Sequence, residues 1–512
     1  MKDMKFNRLK KSFQILTAMF LLGTLMGGCN KKLDIDATHL VNEGNNWKSI
    51  TDTRSALLGT YGLLRAALAD NNGHWLYGEL RNGDFQATSR LDLKAIINSN
   101  LNAPYPVVQS LSSWRRFYAV INSANLFISR AHEVLALDRQ YTEKNYQVDM
   151  AQMHALRAFA YFYMTRIWGD VPLIKSVNDG NFEKVKRSPK AEVLGYAESE
   201  LLKAVTDLPY KYGDVNDPIF PGLYYGQPIA EWNGVLLTKI SAYAILAHVC
   251  AWNERYIDAS GYAKFVLDNA SKAGVSYSVT PLLTRVDGLF YDKNSNQLFG
   301  LPFAWSNMEA SLDGHIEDLT LAAPLVVKPV PQIYIPDPVI LSVFDEAKDQ
   351  RFSINPANGR AVTDYFTGFG SSNTIFSKIK CIRNASTDGS LGLFSSAIVF
   401  TRLEEISLLY AESMAVLGNT QPAIDVLDQL RINRGLPLYI GGTNGLIDAI
   451  FKERRRELMG EGWRWYDQVR YKRIMKNDAD FNKLISSNGI FWPIAEDVLR
   501  NNSLLVQNEY WR

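Results

Sequence analysis

Residues 148–168 read VDMAQMHALRAFAYFYMTRIW. Apolar side chains fall around most of the helical circumference instead of along one stripe, so this stretch is expected to be a central helix buried on nearly every side. It runs into Gly169-Asp170-Val171-Pro172. A glycine followed closely by a proline is a helix exit, because the glycine turns the chain and the proline cannot continue the helix.

Working outward, apolar residues recur at helical spacing on both sides. Residues 48–69 place Ile50, Ala56, Leu57, Tyr61, Leu64 and Leu68 in register, and residues 114–137 do the same with Trp114, Phe117, Tyr118, Ile121, Leu126 and Val134. Further helices are expected over 190–207, 235–252, 256–270, 401–417, 421–433, 445–459 and 463–475. Two pairs share a spacing. Ala247 and Ala259 lie 12 apart with Ala263 four further on, and Ala411 and Ala423 lie 12 apart with Leu427 four further on. Small residues so spaced let two antiparallel helices cross closely, as in tetratricopeptide pairs. No regular 34-residue period runs along the chain, so the pairs are dispersed and not a regular solenoid. The fold class is therefore mainly α: dispersed tetratricopeptide-like helix pairs over 47–275 and 401–512, with a long loop-rich insertion containing short strands.

That insertion covers 276–400, where Gly, Pro, Asn and Ser punctuate short apolar runs such as QLFGLPF (297–303), LVVKPVPQIYI (325–335) and SAIVF (396–400). Residues 70–113 are similarly interrupted. Long irregular segments in a folded domain commonly carry function. Trp75, Tyr77, Trp305, Phe366 and Phe369 are the candidate ligand-contacting aromatics there, with Arg81, Asp84 and Asn307 as polar partners. A ring supplies contact area and the neighbouring polar groups supply direction. The alternative for each ring is packing beneath the loops.

The 512 residues are 47% hydrophobic, 21% charged and 12% aromatic, which fits a folded protein and excludes a disordered or collagen-like chain. A net charge of +2 gives no basic bias toward nucleic acid. Three cysteines exclude a disulfide framework, and Cys250, within AILAHVCAW, reads as a small buried hydrophobe. The first of the three, Cys29, closes a leader: Lys2, Lys5, Arg8, Lys10 and Lys11 precede an apolar run from Phe13 to Gly28. A basic start, a short apolar core and small residues before a processing point describe an export signal over 1–28. The run is shorter than the ~20 residues a spanning helix needs. Residues 29–46 are polar and unpatterned and read as a tether.

Motifs of catalysis and cofactor binding are missing from the sequence. There is no HExxH, GxGxxG, phosphate loop or G-x-S-x-G, and the six histidines have no metal-ligand spacing. Asp292, Asn294 and Asn296 imitate the start of a calcium loop, but Gln297 and Phe303 occupy its turn and closing positions. Glu404 and Glu405 are adjacent, so on a helix they diverge and suit capping or ion pairing better than hydrolysis of one bond. Glu453-Arg454-Arg455-Arg456-Glu457 reads as an ion-paired helix. No cofactor or metal is expected.

Several stretches together resemble the SusD/RagB family of Bacteroidetes outer-membrane lipoproteins. LRAFAYFYMTRIWGDVPLI (156–174) is similar to the family's helix and GDVPL exit. LTKISAYAILAHVCAWNERYIDASGYAKFVL (237–267) and RLEEISLLYAESMAVLGNTQPAIDVLDQLRINRGLPL (402–438) resemble its later helix pairs. ERRRELMGEGWRWYDQVRYKRI (453–474) resembles the ER-x-x-EL-x-x-EG-x-RW-x-DL-x-R signature, and FWPIAEDVLRNNSLLVQNEYW (491–511) its closing segment. Gly460 and Gln468 depart from the aromatic and leucine usual there, Ala495 replaces a proline, and Ser503 follows Asn502 in the closing segment.

The resemblance implies a single SusD-like domain over 47–512 and acylation of Cys29, anchoring the chain in outer-membrane lipid. It implies a non-catalytic protein that binds oligosaccharide at the loop-rich face and delivers it to a SusC-like TonB-dependent transporter. RagB-type members imply the alternative of peptide cargo. A secreted glycoside hydrolase and a purely structural helical scaffold are the readings from other classes. The shared motifs are expected to be structural, because a packed helix carrying Arg464, Asp467 and Arg470 must pair its charges.

Overall fold

The computed structural model describes residues 46–177, 184–311, 314–359, 361–383 and 392–512. The expected leader, Cys29 and nearly all of the tether fall outside these residues. Ser49–Arg512 group as one unit.

Ten helices carry the scaffold: α1 (Ile50–Ala69), α2 (Arg115–Leu137), α3 (Glu143–Trp168), α4 (Lys190–Asp207), α5 (Lys239–Trp252), α6 (Tyr256–Asn269), α7 (Leu403–Val416), α8 (Thr420–Asn433), α9 (Leu446–Glu457) and α10 (Arg464–Met475). Each packs on the next from α1 through α8, and α9 packs against α7. The succession continues from α6 to α7 although more than a hundred residues of insertion separate them in sequence. The expected helical spans hold to within a residue or two, except that the third helix starts earlier, at Glu143, and the fifth later, at Lys239. Thr238 there caps the helix by accepting from the Ser241 amide at 3.3 Å.

α3 is the axis of the molecule. Every residue from Ala155 to Trp168 is buried. Thr142 caps its start by accepting from the Asn145 amide. Gly169 ends it at φ 73°, where a Cβ would lie 3.0 Å from the Phe491 ring. The small residues of the two recognised pairs, Ala247, Ala259, Ala263, Ala411 and Ala423, are fully buried with Leu427 at the helix crossings.

Among the described residues, eight short strands form four two-stranded antiparallel ribbons. The longest joins β1 (Gln297–Leu301) to β2 (Ile398–Arg402), pairing Gln297 with Arg402 and Leu301 with Ile398. This ribbon clamps the two ends of the insertion together and feeds directly into α7. Of the run at 325–335, only Ile333–Tyr334 is a strand, and it pairs with Gln86–Ala87. Residues 70–113 are less irregular than expected, holding short helices at Leu91–Ile97 and Pro106–Leu111 and a π-turn at Leu76–Leu80.

The signature helices α9 and α10 enclose a buried charge network. Glu457 accepts from Arg351 at 3.0 Å, Arg402 at 2.9 Å and Arg434 at 2.7 and 2.9 Å. Glu461 pairs with Arg402 and Lys378. Arg454 bridges Glu405 and Asp467, and Arg470 bridges Glu412 and Asp467. Burying such charges is tolerable only with complete pairing. Glu404 accepts from the Ser278 amide at 2.6 Å and pairs with Arg402 at 3.0 Å. Cys250 and Cys381 are both free and buried.

Candidate functional site

The candidate ligand residues separate into two groups by burial. Trp75 is 2% exposed and stands edge-on to His74. Tyr77 is 3% exposed, donates to the Leu111 carbonyl at 2.7 Å and packs edge-on to Trp168 and Trp492. Arg81 donates to the carbonyls of Gly489 and Ile490 at 2.6 and 2.7 Å, with its guanidinium 4.1 Å from the centre of the Trp465 ring. Asp84 is held by Arg455 and by Arg464, the latter at 3.3 Å. Phe366 is buried against Phe344, Phe352 and Phe376, while Phe369 is half-buried on Phe352. The structure thus corrects the expectation for Trp75, Tyr77, Arg81, Asp84 and Phe366. Their side chains are buried and engaged in contacts within the fold.

Trp305 and Asn307 belong to the second group. They lie in a 3₁₀ turn, Trp305–Asn307, with Trp305 40% exposed and the following Met308 fully at the surface. Ala304, Ser306 and Asn307 line a cleft of about 360 Å³, whereas Trp305, between them in sequence, is exposed but does not line it. The size is near the lower end of the ~300–1,000 Å³ usual for small-molecule sites.

One wall of the cleft is α1, which contributes Arg54, Leu58, Tyr61, Gly62 and Arg65. Their spacing puts them along one helix face. Glu231, Trp232 and Val235 contribute a second wall, and the segment from Asp292 to Glu309 a third. Arg65 grips Glu309 through two bonds of 2.9 Å, donates to the Pro302 carbonyl at 2.6 Å and stacks over Phe303. Burial alone would raise the Glu309 pKa, but Arg65 and the Ala304 amide outweigh it and hold the carboxyl below its ordinary value. Lys293 pairs with Glu231 at 3.2 Å. The Tyr61 hydroxyl is engaged by Gln152 and the Leu237 amide, and Trp232 donates to the Tyr224 carbonyl at 3.1 Å. These bonds fix the walls in place.

Two polar groups stand apart. The Arg54 guanidinium lies over the Trp232 ring at 5.7 Å and has no carboxylate within ion-pair distance among the described residues. Asp292, in the left-handed region at φ 45°, has a buried Oδ1 with no hydrogen-bond partner. Burial raises its pKa. The cleft lining thus includes a guanidinium without a carboxylate partner among the described residues and a carboxylate with one oxygen buried. Arg54 carried no sequence signal, since a lone arginine on an amphipathic helix reads as a solvated face. Asp292 stood within the calcium-loop imitation, but Asn294 and Asn296 spend their side chains locally, accepting from the amides of Asn296 and Ser276 at 3.0 Å each.

A succession of helix pairs with a loop-built cleft on one side defines a helical-repeat protein that presents its polar groups from inserted segments. Comparison with known proteins narrows this. A family model described as "SusD family" matches residues 360–511, and one described as "Starch-binding associating with outer membrane" matches residues 67–218. The crystal structure of a SusD superfamily protein from Bacteroides thetaiotaomicron is 46% identical, covers 91% of this chain and all of its own, and superposes with a TM-score of 0.83. A SusD homolog from the same organism, 21% identical over 91% of this chain and 99% of its own, shares the fold with a TM-score of 0.74. A SusD-like protein of Formosa agariphila is 25% identical over 98% of this chain and 99% of its own length. The chain belongs to the SusD family.

Proposed function

We propose that this protein is a non-catalytic, surface-exposed outer-membrane lipoprotein that captures oligosaccharide and delivers it to a SusC-like TonB-dependent transporter. The observation that carries the reading is a cleft of about 360 Å³ lined by polar and aromatic side chains, one wall of which comes from the inserted segment that also bears the exposed Trp305. Sugar rings present an apolar face that stacks on an indole and hydroxyls that need both donors and acceptors. Family membership, and a matching family model whose description joins starch binding to the outer membrane, support the same reading.

Delivery needs a partner, since no helix among the described residues is long and apolar enough to cross a membrane. The proposed anchor is an acyl chain on Cys29, which holds the chain at the bilayer without spanning it. A glycan array probed with the detergent-purified full chain tests capture, and mild-detergent affinity purification from outer membranes tests partnership. Binding to the array and co-purification of a large β-barrel are expected. Turnover of a bound glycan would replace the non-catalytic reading with a hydrolase, and capture of peptides alone would replace the glycan with peptide cargo.

A further inference from the structure

We infer that a second cleft, formed where the closing segment of the chain returns to the short helix Pro106–Leu111, is a further saccharide-binding site. Asn102 and Gln109 supply its hydrogen bonds and Trp511 its ring face. The inference rests on the saccharide-capture reading above and adds a site to it.

This cleft measures about 740 Å³, roughly twice the one beside α1, and the two share no lining residue. Its size is within the ~300–1,000 Å³ usual for ligand sites. One wall is the helix Pro106–Leu111, whose Pro106, Gln109 and Ser110 line the cleft at the spacing of a single helix face, while Val108 and Leu111 are buried beneath. The other wall is the segment Pro493 to Asp497 together with Gln507 and Trp511. The walls meet where the Ala495 amide donates to the Ser112 carbonyl at 3.0 Å, one helical turn beyond Gln109. Gln507 braces that junction by accepting from the Ile494 amide and donating to its carbonyl, both at 2.9 Å. The Trp511 indole N–H donates to the Phe491 carbonyl at 2.8 Å, which fixes the ring while it stays partly exposed.

The polar groups in this cleft are accessible. The side-chain amides of Asn102 and Gln109 are exposed and take no hydrogen-bond partner among the described residues. The exposed Ser110 hydroxyl accepts from the Asn71 side chain at 3.1 Å and keeps its own proton to donate. The charges of the lining pair off, Asp497 with Arg115 at 3.0 Å and Glu496 with Arg500 at 3.9 Å. What is left for an occupant is neutral: amides and hydroxyls that donate and accept, beside an indole. A neutral sugar matches this, because its hydroxyls also do both and its apolar ring face packs on an aromatic one. An extended peptide finds less, since neither lining segment contains a strand whose open edge could pair with its main chain.

The test probes the full chain in detergent on an array of neutral gluco-, manno- and xylo-oligosaccharides. Gln109→Trp, which fills the cleft from an exposed position, and Gln109→Ala, which only removes the amide, are compared with the wild type, and melting temperatures are recorded for each. The expected result is that binding of at least one of these glycans is weakened about tenfold or more by Gln109→Trp, and in the same direction by Gln109→Ala, at unchanged melting temperature. Gln109→Ala decides the matter if the added indole lowers the melting temperature. Equal binding of every captured glycan by the wild type and the Gln109 variants overturns this inference while leaving saccharide capture standing. Failure of the wild type to bind any glycan on the array overturns the saccharide reading itself.

Discussion

Glu457 gives both carboxylate oxygens to Arg434, Oε1 to Nη2 at 2.7 Å and Oε2 to Nε at 2.9 Å, across 23 residues of chain and with neither side chain reaching solvent. The pair ties the end of α9 to the end of α8, and Arg402 and Arg351 add bonds to the same carboxylate. Burial would raise the Glu457 pKa, but the Arg434 and Arg402 charges overcome it and hold the carboxyl well below its usual range.

Glu457→Gln should therefore destabilise the fold by ~3–5 kcal/mol, because it leaves buried guanidinium groups without their counter-charge. Denaturant unfolding measures this. A loss under ~1 kcal/mol would mean that water or neighbouring acids compensate the arginines, and the network would not be the clamp described above.

Asp149 on α3 works in the opposite direction. It is fully buried, accepts from Tyr141 at 2.8 Å and from the hydroxyls of Tyr224 and Tyr225, and has no ion-pair partner among the described residues. Burial, only partly offset by the tyrosine hydroxyls, lifts its pKa to about 7. A carboxyl raised in the folded state stabilises the fold fully below its unfolded value of ~4. That stabilisation is lost as pH rises through about 7. In Asp149→Asn this contribution disappears, so unfolding free energies should fall less between pH 4 and 7 than in the wild type. Parallel pH profiles for the two proteins would contradict the assignment.

Trp305→Ala and Trp75→Ala should part company. Loss of the exposed indole is expected to weaken glycan binding about tenfold or more with little change in stability. Loss of the core indole is expected to cost ~3–5 kcal/mol of folding stability. Calorimetric binding and thermal unfolding, run on both variants, distinguish the roles. A stability loss for Trp305→Ala with affinity intact would move that residue into the structural set.

Gly78→Ala should be severe. A Cβ there would come within 1.8 Å of the Gly462 carbonyl oxygen, a contact that only backbone displacement relieves. The neighbouring Glu79 accepts from the amides of Gly460 and Gly462 at 2.9 Å each, so displacement would also open those bonds. We expect ~3 kcal/mol or more of destabilisation, read as a lowered denaturant midpoint. A midpoint equal to wild type would show that this approach can relax without penalty.

The helical scaffold was legible in the sequence because its signals are local. The continuous apolar surface of 148–168 and the paired alanines at 247, 259, 411 and 423 depend only on neighbours within one or two helices. The clamp between Gln297 and Arg402 was not legible, since strand pairing over that separation leaves no local period. The same limit explains Arg81 and Asp84. Asn-Gly punctuation around them describes a turn correctly, but their partners lie at Gly489, Ile490, Arg455 and Arg464. Whether a turn residue faces solvent or core was decided by segments far along the chain. Arg54 was hidden for the converse reason: its exposure follows from which acids fail to approach it.

The bonds from Arg81 to the carbonyls 408 and 409 residues downstream fix an order of events. During synthesis, the early helices emerge long before the segment that accepts from this guanidinium. Until that segment arrives, Arg81 is a charge that the early core cannot enclose. Contacts of such long span slow folding and keep apolar surface exposed meanwhile. The nascent chain is therefore an incomplete structure until the segment around Gly489 and Ile490 reaches Arg81. A copy truncated before Gly489 would retain most of its helices yet lack the closure that makes them a single body.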